Sequence, residues 1–151
     1  MIIKTLVENT SISKDFGNEH SLSLYIETNA LKILFDVGAS ELFLKNAEKL
    51  GVNITDVDFL VISHGHYDHG GGLKNFFKEN TKAEVYLHHL AFEKHYAIRP
   101  NDKLDFIGLD DEQFIDAQSF GCPLPSTDRQ PTPSKENCSY DASGRWRQSS
   151  F

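Results

Sequence analysis

Three observations predict an α/β fold: strand-like apolar runs alternate with helix-like periodic ones, turn signals separate them, and one four-residue run has no polar side. Ile2-Ile3-Lys4-Thr5-Leu6-Val7 reads as the first strand. Leu22, Leu24 and Ile26 alternate with Ser21, Ser23 and Tyr25, the pattern of a second strand. Leu31-Lys32-Ile33-Leu34-Phe35 follows so closely, through Asn29, that strands two and three are expected to form a hairpin. Ser40 can then cap a helix whose apolar face is Leu42, Phe43, Ala47 and Leu50, and Gly51 stands where a left-handed C-cap is favoured. Phe59-Leu60-Val61-Ile62 is continuous and apolar, as in a strand buried on both faces. Leu73, Phe76 and Phe77 recur at i, i+3 and i+4 and predict a second helix. Val85-Tyr86-Leu87 is a further short strand, and Ala91 to Tyr96 is expected to make a helical turn or two before Pro100.

At 151 residues the chain suits one domain with a real core. Its formal net charge is −7 with no cluster of lysines or arginines, so nucleic acid is not expected as a partner. The opening MIIKTLVENT lacks the basic start and long apolar stretch of a secretory signal, and no apolar run approaches the roughly 20 residues of a membrane span. A soluble, cytoplasmic protein with no membrane contact is expected. Cys122 and Cys138 form neither a CxxC pair nor a disulfide framework.

The chain divides into unequal parts. Residues 1–117 carry the regular pattern, whereas 118–151 hold four of the five prolines, both cysteines, the single tryptophan and seven serines without periodicity. Charge changes at the same place, from −8 over 1–117 to +1 over 118–151. The second stretch reads as an irregular, poorly packed or disordered tail. Such a switch suits a natural linker and equally a change of reading frame.

Chemistry concentrates in Ser63-His64-Gly65-His66-Tyr67-Asp68-His69-Gly70-Gly71-Gly72, directly after the apolar strand. Loops at the carboxyl ends of strands in α/β sheets are where sites tend to form. Gly65 separates His64 from His66, so on an extended segment both imidazoles project to one side and can meet one ion. Asp68 and His69 are adjacent, point differently, and could serve a second ion. Imidazole nitrogen with a carboxylate oxygen suits zinc, and also iron or manganese. The three glycines allow a tight turn and the close approach of a ligand before the next helix.

SHGHYDHGGGL resembles the HxHxDH signature of the metallo-β-lactamase superfamily. EHSLSLYIE at 19–27, ILFDVGAS at 33–40, NAEKLGVNITDVD and YAIRPNDKLDFIGL are similar to its branch of dihydropterin-condensing synthases and metal-dependent hydrolases. The resemblance covers about residues 1–117 and implies the first half of an αββα sandwich, a mixed sheet with helices on one face. It implies two divalent metal ions, with zinc preferred and iron, manganese or magnesium also suited. His64 and His66 would ligate the first, Asp68 and His69 the second, with Asp68 also handling a proton in catalysis. Asp36, in the family's D-x-G position, would orient the loop from behind. The activity implied is attack by a metal-bound hydroxide on an ester, lactone, thioester or phosphoester-type small molecule. The alternatives are a dihydropterin-type synthase and a non-catalytic metal-binding fragment or subunit.

The family's later ligands, two histidines and a bridging aspartate, have no counterpart here, since the last histidine is His95. His88 ends a strand and is a candidate for the substrate rim, whereas His89 and His95 read as solvated helix-start residues. His20, beside Glu19 before the second strand, reads first as a loop histidine making ordinary hydrogen bonds, with a place near the site as the alternative. Asp110, Asp111 and Asp116 read as solvent-facing charges. Zinc takes about four ligands, so two protein donors per ion imply weak binding and an incomplete site. Half a sandwich also leaves a sheet face uncovered, which invites self-association.

Overall fold

The computed structural model describes residues 1–100, 102–110, 137–140 and 146–149. Strand β1, Ile2–Val7, pairs antiparallel with β2, Ser23–Glu27, which pairs antiparallel with β3, Lys32–Phe35. The expected hairpin closes at Thr28, whose amide donates to the Leu31 carbonyl at 2.9 Å. Helix α1, Leu42–Lys49, carries the chain to β4, Phe59–Val61, which lies parallel to β3. Two helices, α2 over Tyr67–Gly70 and α3 over Leu73–Glu79, then lead to β5, Glu84–His88, parallel to β4. A separate ribbon pairs β6, Tyr96–Ile98, with β7, Leu104–Phe106. Beyond β5 the sheet continues antiparallel through β8, Asn137–Tyr140, and β9, Trp146–Ser149. The seven-stranded sheet thus has the order β1-β2-β3-β4-β5-β8-β9.

The caps follow from local chemistry. Ser40 Oγ accepts the Leu42 amide at 3.1 Å, close to its expected capping role, although α1 itself begins after Glu41. Gly51 ends the turn after α1 at φ +64°, the left-handed conformation anticipated for it. The helix expected over Ala91 to Tyr96 does not form. A 3₁₀ turn, His89–Phe92, comes first, and Tyr96 already lies in β6. Tyr96 stacks across the ribbon on Phe106 at 5.6 Å, a long-range pairing that overrides the short helical pattern.

Pairing register sorts the core. Tyr25, Leu34, Leu60 and Val85 form one cross-sheet row, all buried, against Phe43 and Ala47 of α1 and Leu73, Phe76 and Phe77 of α3. The opposite face carries two apolar rows, Ile3-Ile26-Ile33-Phe59 and Leu24-Phe35-Val61-Tyr86, which stay partly exposed. Phe59 to Ile62 is therefore not buried on both sides as expected: Leu60 and Ile62 are covered, whereas Phe59 and Val61 are half-buried. Among the described residues, the helices cover one face alone.

Within the stretch read as an irregular tail, the described residues are the two four-residue strands β8 and β9. The rest of that tail, and the boundary after Ala117, lie outside the described residues. Among the described residues no helix is long and apolar enough to cross a membrane.

Candidate functional site

The site forms where β3 and β4 end side by side. Parallel pairing sets Phe35 beside Val61, so the next residues, Asp36 and the Ser63 loop, leave the sheet at the same edge. Asp36 takes φ +58° and is fully buried, with its amide donating to the Val61 carbonyl at 2.8 Å. Aspartate tolerates this left-handed conformation better than most residues. From there its carboxylate collects three donors: the Ser63 amide on Oδ1 at 2.8 Å, and on Oδ2 the Ser63 hydroxyl at 2.8 Å and His69 Nδ1 at 2.7 Å. Burying a carboxylate is costly unless donors meet its oxygens, and these three do so.

His64 and Gly65 follow in a bend, and His66, bridged to Gly108, precedes α2 in extended conformation at φ −96° and ψ 148°. A side chain at Gly65 would force the backbone to shift, because a Cβ there would stand 1.8 Å from the Ala91 carbonyl oxygen. The bend, rather than the extended segment the spacing predicts, brings the two rings together, and His64 Nε2 lies 3.0 Å from His66 Nδ1. Helix α2 then turns the chain, so Asp68 and His69 present Oδ2 and Nε2 at 3.7 Å. The rings of His64 and His69 are 4.1 Å apart between centroids, which joins the two pairs into one cluster. The glycines that follow serve packing: a Cβ on Gly71 or Gly72 would collide with the carbonyl oxygens of Ala39 and Val37.

Tautomers follow from the partners. His69 Nδ1 faces an acceptor-only carboxylate and so carries the proton, leaving Nε2 bare on the side of Asp68. Burial holds the pKa of His64 below the usual imidazole value, helped by His69 and His66 nearby and opposed by Asp36 and Asp68. Neutral imidazole is the form that binds metal. Two nitrogens on one tetrahedral zinc stand about 3.3 Å apart. The His64–His66 separation is close to that value, so the pair fits one ion in place of their mutual hydrogen bond. Among the described residues, however, no three His, Cys, Asp or Glu side chains surround a common point.

Other residues join the cluster that their sequence context did not single out. Ser63 Oγ lies 2.9 Å from His64 Nδ1, and its position directly before the first histidine was the available signal. His20 is anchored through Nδ1 to Asn9 Oδ1 at 2.9 Å and turns Nε2 toward Asp68 Oδ2 at 3.7 Å, remaining 79% exposed. His95 packs edge-on to His66 with centroids 5.4 Å apart, at the root of the ribbon. Only long-range folding brings these two there. His88 is exposed, and its Nδ1 accepts the Leu90 amide at 3.3 Å, capping the 3₁₀ turn. The side chain of His89, and Asp111 and Asp116, lie outside the described residues.

Comparison with known proteins places this geometry. The family model of the metallo-beta-lactamase superfamily matches residues 17–135. An uncharacterized protein of Methanocaldococcus jannaschii is 38% identical over 112 residues, 74% of this chain and 41% of that protein. The 7,8-dihydropterin-6-methyl-4-(beta-D-ribofuranosyl)-aminobenzene-5'-phosphate synthase of the same organism is 35% identical over 105 residues, 65% of this chain and 36% of the synthase. The crystal structure of a metal-dependent hydrolase of the beta-lactamase superfamily aligns with a TM-score of 0.60 at 27% identity, covering 90% of this chain and 46% of that one. The chain thus spans about two fifths of the length of these curated relatives. With the family match extending over most of its length and the histidine loop set at the strand ends, this chain belongs to the metallo-beta-lactamase superfamily.

Proposed function

We propose that this chain carries the metal-binding face of a metal-dependent hydrolase, with His64 and His66 holding one divalent ion and Asp68 and His69 a second. The observation that carries this reading is the convergence of His64 Nε2 with His66 Nδ1 at 3.0 Å beside Asp68 Oδ2 and His69 Nε2 at 3.7 Å. Zinc suits the nitrogen-rich donors best, with iron, manganese and magnesium as competitors. Such ions, when bound, supply Lewis acidity toward a carbonyl or phosphoryl oxygen. Asp36 orients His69 by holding its Nδ1 proton. Asp68, with Oδ2 turned to His69 and His20, would hold the ion through that oxygen and take up and return a proton at its other carboxylate oxygen.

The substrate class is a small ester, lactone, thioester or phosphoester. Two protein donors per ion are fewer than zinc's usual four, so binding is weak and turnover needs further donors. The net charge of −7 disfavours nucleic acid, and the partly exposed rows of the sheet support self-association. Zinc titration of the full chain under chelator competition, with assays on nitrophenyl ester, lactone, thioester and phosphodiester substrates, tests the reading. Two weakly held ions, one lost in His64→Ala and the other in His69→Ala, are expected. No ion at millimolar zinc would sink the proposal, and two tight ions would contradict the missing donors.

A second reading is condensation in the manner of the dihydropterin synthase, favoured by 35% identity to that enzyme. Product formation from a dihydropterin diphosphate and an arylamine acceptor would support it, and hydrolysis alone would exclude it. A third, a non-catalytic metal-binding module or subunit, draws on the lack of a three-donor set among the described residues. Metal binding without turnover on any of these substrates supports it.

A further inference from the structure

We propose that Ser63 is a positioning residue that relays the charge of Asp36 to His64, so that one buried carboxylate sets the tautomer of both imidazoles. The proton count requires this direction. A serine hydroxyl has one proton, and Ser63 Oγ lies 2.8 Å from Asp36 Oδ2, an acceptor with no proton to give. That proton therefore goes to Asp36. The contact of Ser63 Oγ with His64 Nδ1 at 2.9 Å then has to be a bond donated by the ring. His64 carries its proton on Nδ1, and Nε2 is left bare toward His66.

His69 reaches the same state by a shorter route, donating Nδ1–H straight to Asp36 Oδ2 at 2.7 Å. The chain of bonds runs from His64 through Ser63 to Asp36 and, from the other side, from His69 to Asp36. Both rings consequently present Nε2 outward, the atom that a cation needs free. Ser63 is held for the task by its own backbone, since its amide donates to Asp36 Oδ1 at 2.8 Å. Removing the hydroxyl leaves that amide bond and the 2.7 Å bond of His69 to Asp36 in place, and costs His69 only a longer contact of Nδ1 with Ser63 Oγ at 3.4 Å. The tautomer change should therefore fall on His64.

This prediction separates a relay from a merely structural serine. Long-range proton–nitrogen NMR correlations on the metal-free full chain read the tautomer of each ring directly. In the unaltered protein and in Ser63→Thr, which keeps the hydroxyl, His64 and His69 are both expected as Nδ1–H tautomers. In Ser63→Ala, His64 shifts toward Nε2–H while His69 keeps its proton on Nδ1. An unchanged His64 in Ser63→Ala overturns the proposal, and so does a simultaneous change at His69, which would report collapse of the loop.

A second arm uses metal and rests on the reading given under Proposed function. Zinc competition with a chromogenic chelator is expected to show about tenfold weaker binding at one of two sites in Ser63→Ala, with recovery in Ser63→Thr. Equal loss at both sites, or none, contradicts the relay. Should the unaltered chain bind no zinc, the metal reading falls while the NMR arm still decides the role of Ser63. Thermal unfolding of each variant confirms that a folded protein is compared.

Discussion

The two halves of the histidine loop reach the same cluster by opposite backbone conformations. His64 and Gly65 lie in a bend and His66 in an extended bridge to Gly108, an arrangement that brings the two rings together. Asp68 and His69 sit in the helical turn α2, where neighbours diverge, and their tips meet at 3.7 Å. Their support differs too. His69 is bound directly to the buried Asp36, whereas His64 reaches that carboxylate through the hydroxyl of Ser63. The comparison teaches that one hexapeptide yields two unlike side-chain pairs because a bend at His64 and Gly65 gives way, after His66, to the helical turn of α2.

The largest effect is expected where both halves share a support. Asp36→Ala removes a fully buried carboxylate with three donors, and should cost about 3–5 kcal/mol in urea unfolding. A loss below about 1 kcal/mol would mean the two halves do not depend on it. The first half alone is broken by Gly65→Ala, whose new methyl would meet the Ala91 carbonyl oxygen at 1.8 Å. About 1–3 kcal/mol of destabilisation is expected, and a stability equal to the unaltered chain would show that the loop can move away.

A smaller, pH-dependent effect distinguishes His64. Its pKa is lowered in the folded state, so on acidification the unfolded chain binds a proton first. Its contribution to stability is present above the ordinary value near 6.5 and is lost as pH falls below it. Urea midpoints from pH 8 to pH 5 should therefore decline less in His64→Gln than in the unaltered chain; parallel curves would refute this. The smallest effect is expected at His20→Ala, where an exposed ring 3.7 Å from Asp68 should change stability by less than about 0.5 kcal/mol. A larger change would mean that the helical half leans on the loop between β1 and β2.

Legibility followed the range of the interactions. The spacing of His64 and His66 announces their convergence, although a bend rather than strand geometry brings it about, and Leu73, Phe76 and Phe77 reveal α3 because helical periodicity is local. Asp36 was placed behind the loop by a family pattern, and the parallel pairing of β3 with β4 gives the physical account of how it gets there. One reading fails for the opposite reason. Ala91 to Tyr96 has a helical pattern, but Tyr96 is claimed by Phe106 ten residues on. His88 ends β5 as read, and its ring accepts the Leu90 amide of the following turn. For His20 the sequence offers two readings, a loop histidine and a neighbour of the site, and the fold brings it to 3.7 Å from Asp68 while it also bonds Asn9.

The sequence by itself determined the superfamily, the α/β order of elements and the residue types of the histidine loop, since each rests on short spacings and backbone periodicity. Tertiary structure alone decided which face of the sheet α1 and α3 cover, and that Asp36, Ser63, His20 and His95 join the histidine loop. Those contacts depend on strand register and loop closure, which bring distant residues within bonding range and leave no mark in a local pattern.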